Sequence, residues 1–233
     1  MLARTWASCA LAALLAAAPA ATPAPAPVKP TKEPPYSDVA YWKSVLDDPA
    51  RREWQKPGTL LQFLGVAEGE TVADLGAGTG YFTISLAELV GADGKVFAID
   101  VEPKMLELID GMREKFRFGN VTTILATPDD PKLPDGQVDL ILVANTWHLI
   151  KNHDAYIPKL ARALKGSRRV AIVDWREGEM PLGPPVARKL GRDKVVAEFT
   201  RAGWKLSSES MALLYQYVLV FVPPVAAAAK PAG

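Results

Sequence analysis

A glycine-rich segment that begins with an acidic residue carries the clearest chemical signal in the chain. It reads Asp74-Leu75-Gly76-Ala77-Gly78-Thr79-Gly80-Tyr81. Glycine adopts positive φ without steric cost, so such a turn brings a ligand within contact distance of the main chain. A second acid, Asp100, ends the apolar run Lys95–Asp100, where a nucleotide-binding α/β unit places the carboxylate that binds ribose hydroxyls. Together the two features predict a site for a nucleoside-bearing ligand at the carboxyl ends of parallel strands.

Alternating apolar runs predict the strands and helices that must hold these residues in place. The predicted strands are 71–74, 95–100, 121–125, 138–143 and 169–174, and the predicted helices are 81–90, 103–115, 154–164 and 192–202. Two further strands, 205–211 and 215–222, are too close in sequence for a crossover helix and must form an antiparallel hairpin. We therefore predict an α/β fold with a Rossmann-like, seven-stranded mixed sheet. It has one antiparallel edge strand, a terminal β-hairpin and helices on both faces.

The composition argues against several kinds of site and partner. The chain has 233 residues, of which 49% are apolar and 23% charged, as in a globular domain with a full core. A net charge of +1 without a large basic block argues against nucleic acid as the partner. The single cysteine, Cys9, excludes a cysteine-based zinc site, and two histidines are too few for a histidine-rich centre. We therefore expect a small-molecule partner and no metal ion. The sequence does not determine the oligomeric state.

The first twenty residues have the layout of a secretory signal peptide. Arg4 provides a positive start, residues 10–18 contain only Ala and Leu, and Ala18-Pro19-Ala20 offers a small-x-small cleavage site. The apolar run is too short to span a bilayer. The alternatives are a disordered Ala/Pro tail or a start codon placed too early.

These patterns predict both a division of the chain and a location. We predict a signal peptide at 1–20, a disordered Pro/Ala-rich linker at 21–35, a folded domain at 36–222 and a flexible tail at 223–233. If the signal is used, the protein is exported to the periplasm or secreted, without stable membrane insertion after cleavage. Otherwise we expect it to be cytoplasmic.

Four motifs in a fixed order resemble those of the class I S-adenosylmethionine-dependent methyltransferases, in particular the type 11 group that includes quinone-biosynthesis methyltransferases. The glycine segment matches the first motif and Ile99-Asp100 the second. Leu133-Pro134-Asp135-Gly136 matches the turn before the fourth strand, and Leu164-Lys165-Gly166 the entry to the fifth. One departure is Ser167-Arg168-Arg169, where the family usually keeps a Pro-Gly-Gly turn; we expect it to alter a loop away from the cofactor.

The resemblance implies that S-adenosyl-L-methionine is the cofactor, and it assigns roles to the glycine segment. The residues that should line the methionine part of the cofactor are Gly76, Ala77, Gly78 and Gly80. Asp74 should contact the cofactor's amino group, directly or through water. The alternative is that Asp74 caps the following helix, whose N-terminus favours a negative charge.

Acids after the second and third strands should hold the adenosyl part of the cofactor. Asp100 should accept hydrogen bonds from both ribose hydroxyls, unless it is an exposed turn acid. Asp129 is our choice for the adenine amino group, with Asp130 next, and the alternative is that both are solvated loop acids.

Residues after the fourth strand should face the methyl-transfer surface. Asn145 should touch the methionine end of the cofactor through its backbone or its amide. His148 could orient a substrate or take a proton, because imidazole has an unperturbed pKa near neutrality. The alternative is that His148 packs against the next helix and does no chemistry. We expect His153 at the surface, and Trp54 either over the cofactor, as part of a lid, or in the core.

The resemblance favours an enzyme that transfers a methyl group to a small molecule by direct displacement, without a metal ion or a covalent intermediate. A protein that binds S-adenosylmethionine or S-adenosylhomocysteine without catalysis is the main alternative. A nicotinamide enzyme is disfavoured by the Gly-x-Gly-x-Gly spacing and by the closing hairpin.

Overall fold

The computed structural model describes residues 34–224 of the chain. The predicted signal peptide lies outside the described residues. So do the linker and the tail, apart from residues 34–35 and 223–224. Across the described part of the chain, no helix has the length and apolar character that a membrane span requires.

A seven-stranded mixed sheet forms the centre of the fold, in the order β3-β2-β1-β4-β5-β7-β6. Its strands are β1 (Thr71–Leu75), β2 (Lys95–Asp100), β3 (Val121–Leu125), β4 (Val138–Ala144), β5 (Leu164–Trp175), β6 (Lys205–Ser210) and β7 (Gln216–Val222). Strands β1 to β5 pair in parallel, and β7 pairs antiparallel with both β5 and β6. The predicted fold class is confirmed.

The closing hairpin places its apolar strand inside the sheet and its polar strand at the edge. Strand β7 is the reversed strand and is almost wholly buried between β5 and β6. Strand β6, with the sequence Lys-Leu-Ser-Ser-Glu-Ser, is mostly exposed. A polar edge strand protects the sheet from further pairing, which explains why β6 rather than β7 is outermost.

Helices cover both faces of the sheet. They are α1 (Val39–Leu46), α2 (Arg51–Gln55), α3 (Pro57–Leu64), α4 (Thr83–Val90), α5 (Pro103–Phe116), α6 (His153–Ala163) and α7 (Arg192–Arg201). Side chains of α3, α4 and α5 share one buried core, and those of α6 and α7 share another on the opposite face. The strands between the two layers are therefore buried on both sides, and β4 is buried throughout.

Two element boundaries differ from prediction for local reasons. Helix α4 begins at Thr83 and not at residue 81, because the positive φ angles of the glycine turn continue to Gly80. Strand β5 begins at Leu164 and not at residue 169, so the predicted altered loop is part of a strand. In this strand, the Arg169 guanidinium forms an ion pair with Glu70 at 2.9 Å. Glu70 precedes β1, so the pair lies at the opposite end of the strands from the glycine turn.

Candidate functional site

The glycine turn joins β1 to α4 at the carboxyl edge of the sheet. Gly76, Gly78 and Gly80 have φ angles of 78°, 55° and 86°. A Cβ added to Gly76 would overlap the side chain of Thr146, which follows β4. The backbone conformation and the lack of space both require glycine here.

The N–H groups of this turn are largely used inside the protein. The Ile99 carbonyl accepts from the N–H groups of Gly76 and Ala77, at 2.8 and 2.9 Å. Gly78 donates to Asp100, and Gly80 donates to the carbonyl of Ala77 at 2.9 Å. The turn therefore has few free N–H groups to donate to a ligand. What it offers instead is room for a ligand to lie close to its backbone.

Asp100 lies at the end of β2 and is almost completely buried, so the exposed-acid alternative is wrong. Its carboxylate accepts hydrogen bonds from Gly78 N at 2.8 Å, Glu102 N at 3.0 Å and the Tyr36 hydroxyl at 3.1 Å. Burial raises the pKa of Asp100, and these three hydrogen bonds oppose the rise. Asp100 is thus hydrogen-bonded to the glycine turn, and it also accepts a hydrogen bond from one hydroxyl group.

Asp74 lies at the same edge, within β1, and is buried. It accepts a hydrogen bond from the Thr83 hydroxyl at 2.7 Å, which ties it to the first residue of α4. Burial raises the pKa of Asp74 to about 6, although Thr83 and the charge of Arg51 oppose the rise. Through this bond to the Thr83 side chain, Asp74 helps to hold the start of α4, as the capping alternative proposes.

Arg51 is a buried cation that the sequence did not single out. Its guanidinium lies 3.8 Å from the centroid of the Tyr81 ring and donates to the Leu46 carbonyl at 2.9 Å. Burial lowers the pKa of Arg51 to about 10, and the charge of Asp74 is among the groups that oppose this. Arg51 therefore links α2 to the residue that follows the glycine turn and supplies positive charge near Asp74.

Residues 36–47, which we call the strap, lie over the glycine turn. Tyr36 binds Asp100, and the Asp47 carboxylate accepts from the Thr79 hydroxyl at 2.5 Å. Leu46 comes so close to Gly78 that a Cβ added there would lie 3.0 Å from Leu46 Cδ1. Helix α1, which forms most of the strap, has no buried residue. The strap is therefore held mainly by contacts with residues of the predicted cofactor site.

Three side-chain amides, two buried and one half-buried, form a closed hydrogen-bonded cluster at the end of β4. Asn145 donates to Gln55 at 3.2 Å, Gln55 donates to Gln216 at 2.8 Å, and Gln216 donates to Asn145. Asn145 also has a positive φ of 58°. The Asn145 side-chain amide is hydrogen-bonded within this cluster, so only the Asn145 backbone is left to contact a ligand. No sequence signal joins Gln55 to Gln216, which lie 161 residues apart.

His148 pairs with Asp174, which ends the apolar run of β5. His148 Nδ1 lies 2.8 Å from Asp174 Oδ1, and the His148 backbone N–H donates to Oδ2 at 3.0 Å. The His148 and Asp174 side chains are 5% and 1% exposed. The sequence did not assign a role to Asp174, although its position at a strand end resembles that of Asp100.

A cavity of about 260 Å³ lies beside His148, between the start of α6 and helix α7. Its lining includes His153, Glu198 and two lysines, Lys151 and Lys194. The expectation that His153 is at the surface is wrong, because its side chain is only 11% exposed. Its ring stacks on Trp147, with centroids 4.3 Å apart, and Nδ1 lies 2.8 Å from Glu198 Oε2.

The two acids of the loop after β3 differ in their contacts. Asp130 accepts from Lys132 N at 2.8 Å and lies 3.6 Å from Lys159 Nζ. The Asp129 carboxylate is exposed and makes no hydrogen bond to any described residue, although its backbone carbonyl accepts from Lys159. Of the two, Asp129 has the side chain that is available to a ligand.

Two tryptophan rings meet where β5 ends. Trp54 of α2 packs against Trp175, the last residue of β5, with ring centroids 5.3 Å apart. A Cβ added to Gly183 would lie 2.6 Å from the Trp175 ring, so the proline-rich loop passes close to that ring. The Arg176 guanidinium, directly after β5, donates to carbonyls of the closing hairpin, including that of Leu213 at 2.7 Å.

Comparisons with known proteins agree with this geometry. The family described as "Methyltransferase domain" matches residues 67–214, more than half of the chain. The chain belongs to this family. A solved S-adenosylmethionine-dependent methyltransferase from Aquifex aeolicus is 31% identical, with a TM-score of 0.75. The match covers 79% of this chain and 98% of that protein.

Two curated relatives match shorter regions. An uncharacterized methyltransferase of Mycobacterium tuberculosis is 34% identical over 139 residues, which are 59% of this chain and 53% of the relative. A ubiquinone/menaquinone biosynthesis C-methyltransferase of Escherichia coli is 30% identical over 128 residues, which are 53% of this chain and 49% of the relative. The chain thus spans about half the length of these relatives.

The family and the fold identify S-adenosyl-L-methionine as the cofactor, and the residues at the site fit it. Asp100 accepts a hydrogen bond from the Tyr36 hydroxyl, and a ribose hydroxyl is a donor of the same kind. The glycine turn lies next to Asp100 and carries no side chains at Gly76, Gly78 and Gly80 that would block the approach of a ligand.

Proposed function

We propose that this protein is an S-adenosylmethionine-dependent methyltransferase that acts on a small molecule by direct displacement. The observation that carries the proposal is the buried Asp100 carboxylate, hydrogen-bonded to the glycine turn and to a hydroxyl group. Such a carboxylate suits ribose hydroxyls because it is desolvated and faces hydroxyl and N–H donors.

The remaining cofactor contacts follow from position along the carboxyl edge of the sheet. The backbone of Gly76–Gly80 and of Asn145 would line the methionine part, and Asp74, beside Arg51, would bind its amino group. The exposed Asp129 carboxylate would meet the adenine amino group.

The chain's own residues chiefly align the reacting groups and exclude water. When bound, the cofactor supplies a methyl group on a positively charged sulfur, which is already an activated leaving group. Trp175 and Trp54 would wall the acceptor side, and His148 would face the acceptor. A metal ion is not needed for this displacement.

The cavity beside His148 supports a small acceptor. Its volume of about 260 Å³ is slightly below the usual range for small-molecule sites, roughly 300–1,000 Å³, so it suits only a small acceptor. The near-neutral net charge also argues against a nucleic-acid substrate.

Two measurements test the proposal. Calorimetric titration with S-adenosylhomocysteine and with NAD should give binding of the first alone. Mass spectrometry should then detect methylated products from a panel of phenols, thiols, amines and quinols. Binding without any turnover would favour the non-catalytic alternative, and no binding by folded protein would end the proposal.

We further propose that the chain is exported and cleaved after Ala20. The support is the charged start, the short apolar run and the small-x-small site in the sequence. Amino-terminal sequencing of the protein from cell fractions should find a chain that starts at Ala21 outside the cytoplasm. An intact Met1 in the cytoplasmic fraction would contradict this.

A further inference from the structure

The His148–Asp174 pair has a geometry that orients a base. Asp174 receives the backbone N–H of His148 at 3.0 Å and contacts ring atom Nδ1 at 2.8 Å, so it fixes both the main chain and the ring. It also accepts from Trp175 N at 2.8 Å, which holds the carboxylate itself. A carboxylate accepts hydrogen bonds, so Nδ1 carries the hydrogen and Nε2 of the neutral ring has the lone pair.

The other ring nitrogen remains available. His148 Nε2 makes no hydrogen bond to any residue between 34 and 224 in the structure. The charged or titratable groups around the pair are Asp174 on β5, Tyr217 on β7, His153 and Asp154 on α6, Lys194, Glu198 and Arg201 on α7, and Lys151. Among them, Asp154 is paired with Arg201 at 2.8 Å. Glu198 is paired with His153, which leaves Asp174 as the acid bound to His148.

We infer that Asp174 is a positioning residue that holds His148 as a general base, and that the methyl acceptor is therefore a protic nucleophile. This inference rests on the proposed function. The acceptor's lone pair forms the bond to the methyl carbon, and the carbon–sulfur bond breaks with its electron pair passing to sulfur. The acceptor's proton passes to Nε2, and the resulting imidazolium is stabilised by the Asp174 carboxylate. A hydroxyl, thiol or primary amine has a proton that such a base can take, whereas a fully substituted amine has none.

The tautomer of His148 tests the arrangement without turnover. The chain contains two histidines, so protein labelled with ¹⁵N-histidine gives only two imidazole patterns. With S-adenosylhomocysteine added at pH 8, His148 should carry its hydrogen on Nδ1, and Asp174→Asn should shift hydrogen to Nε2. A hydrogen on Nε2 of the unsubstituted protein would overturn the inference.

Kinetics test the consequence for the acceptor. Catechol, thiophenol and aniline serve as protic probes, and N,N-dimethylaniline as the probe without a transferable proton. Methylation should be confined to protic probes, and its rate should rise with pH, as expected when a base must take the acceptor's proton. Asp174→Asn should lower kcat by about 10²-fold, the usual contribution of a general base, and should flatten that rise while leaving S-adenosylhomocysteine affinity unchanged.

A second variant guards against misfolding of the first. His148→Gln leaves Asp174 in place and should show the same loss and the same flattened pH profile. Retention of rate and profile in the folded variants, methylation of dimethylaniline alone, or no methylation of any protic probe would overturn the inference. Failure of the unsubstituted protein to bind S-adenosylhomocysteine would instead refute the proposed function.

The strap carries a second, independent inference. A carboxylate has about four hydrogen-bonding positions. Asp100 uses two of them for Gly78 N and Glu102 N and a third for the Tyr36 hydroxyl. Two ribose hydroxyls need two positions, so they fit Asp100 only when Tyr36 is absent.

The rest of the strap is held by few contacts. Helix α1 buries no side chain, and its ends are held by Tyr36 at Asp100 and by Asp47 at Thr79. Its apolar side chains are at most partly buried, so less apolar area opposes its departure than would oppose that of a core helix, since burial is the main source of helix stability in a protein. Apart from those two ends, Arg51 holds the Leu46 carbonyl at 2.9 Å. We propose that the strap is an autoinhibitory contact in which the Tyr36 hydroxyl competes with the cofactor ribose for Asp100.

Paired tyrosine substitutions test the competition. Tyr36→Phe removes the hydroxyl that binds Asp100 and should tighten S-adenosylhomocysteine binding about tenfold, because the lost bond is to a charged group. Tyr41→Phe is the matched control on α1, since the Tyr41 hydroxyl makes no hydrogen bond to the described residues. Its affinity should equal that of the unsubstituted protein.

A second substitution loosens the strap at its other end. Asp47→Ala removes the bond to Thr79 and should also tighten binding, by a smaller factor. Unchanged affinity in Tyr36→Phe would show that the hydroxyl does not compete, and weaker affinity would show that Tyr36 is a cofactor ligand; either result overturns the proposal. If no form binds S-adenosylhomocysteine, the proposed function fails with it.

Discussion

The carboxyl ends of β1 and β2 and those of β4 and β5 build their halves of the site in different ways. The first pair uses a continuous segment, Gly76–Gly80, held against Asp100. The second pair uses side chains that are bound by partners farther away in sequence, such as Asn145 with Gln55 and with Gln216. The half at β1 and β2, which we call the cofactor half, is thus a more local structure than the half at β4 and β5. We call the second the acceptor half because it holds His148, although the Asn145 backbone there would also line the cofactor.

Gly76→Ala should break the cofactor half with the largest effect. The new methyl group overlaps Thr146, and φ is 78°, so we expect a loss of about 2–5 kcal/mol and no measurable S-adenosylhomocysteine binding. Gly111→Ala is the matched control, because open space surrounds Gly111 within α5 and alanine favours a helix. Urea unfolding and calorimetry measure both, and normal binding by Gly76→Ala would show that the turn is not the cofactor site.

Gln216→Leu should show that the acceptor half depends on distant partners. It removes the acceptor of the buried Gln55 amide N–H and the donor to the half-buried Asn145 amide oxygen, although Asn145 still donates to Gln55, so we expect a loss of about 3 kcal/mol in the free energy of unfolding. The same substitution at the exposed Gln137 should change stability by less than about 0.5 kcal/mol. Equal effects at the two positions would mean that the amide cluster is not a structural unit.

Burial of the charged Asp74 carboxylate should lower the stability of the folded protein at neutral pH. The pKa of Asp74 is raised from 3.8 to about 6, so between these values the folded protein binds the proton more tightly than the unfolded chain. Its contribution to stability therefore falls as pH rises through this window. Relative to the unsubstituted protein, Asp74→Asn should gain up to about 3 kcal/mol between pH 4 and pH 7. Urea titrations at the two pH values measure the difference, and a gap that does not change with pH would contradict the assignment.

Asp100→Ala should have the smallest effect of the four on the measured quantity, which is here ligand affinity. It also removes the acceptor of the Gly78 and Glu102 N–H groups, so urea unfolding must first show that the variant is folded. Loss of a hydrogen bond to a charged acceptor costs roughly 1.5–3 kcal/mol, so S-adenosylhomocysteine affinity should fall tenfold or more. Asp135→Ala, at an exposed turn acid paired with Arg162, is the control and should bind normally. Calorimetric titration that finds equal affinities would remove Asp100 from the site.

The same contrast explains how much could be predicted from sequence. The sheet, its closing hairpin and the glycine turn depend on short-range patterns, namely apolar runs, the glycine spacing and a connection too short for a helix. The N-cap of α6 at Asn152 was also predictable, because capping involves residues only a few positions apart.

Contacts between distant residues could not be predicted in the same way. Nothing in the pattern near Arg51 or Gln55 shows that both are buried beside the sheet. The burial of His153 depends on stacking with Trp147 and on pairing with Glu198 from α7, so its place at a helix start was misleading. Asp174 was the one missed residue with a usable signal, because it is an acid at the end of a buried strand.

The edge-to-face contact between Tyr36 and Trp42, with ring centroids 5.8 Å apart, gives the strap a built-in optical reporter. Indole emission responds to its surroundings, and the Trp42 ring N–H also donates to the Pro35 carbonyl at 3.2 Å. Any movement that separates Tyr36 from Asp100 must disturb these surroundings. Occupancy of the nucleoside site should therefore be readable from the fluorescence of the native chain, without an attached dye.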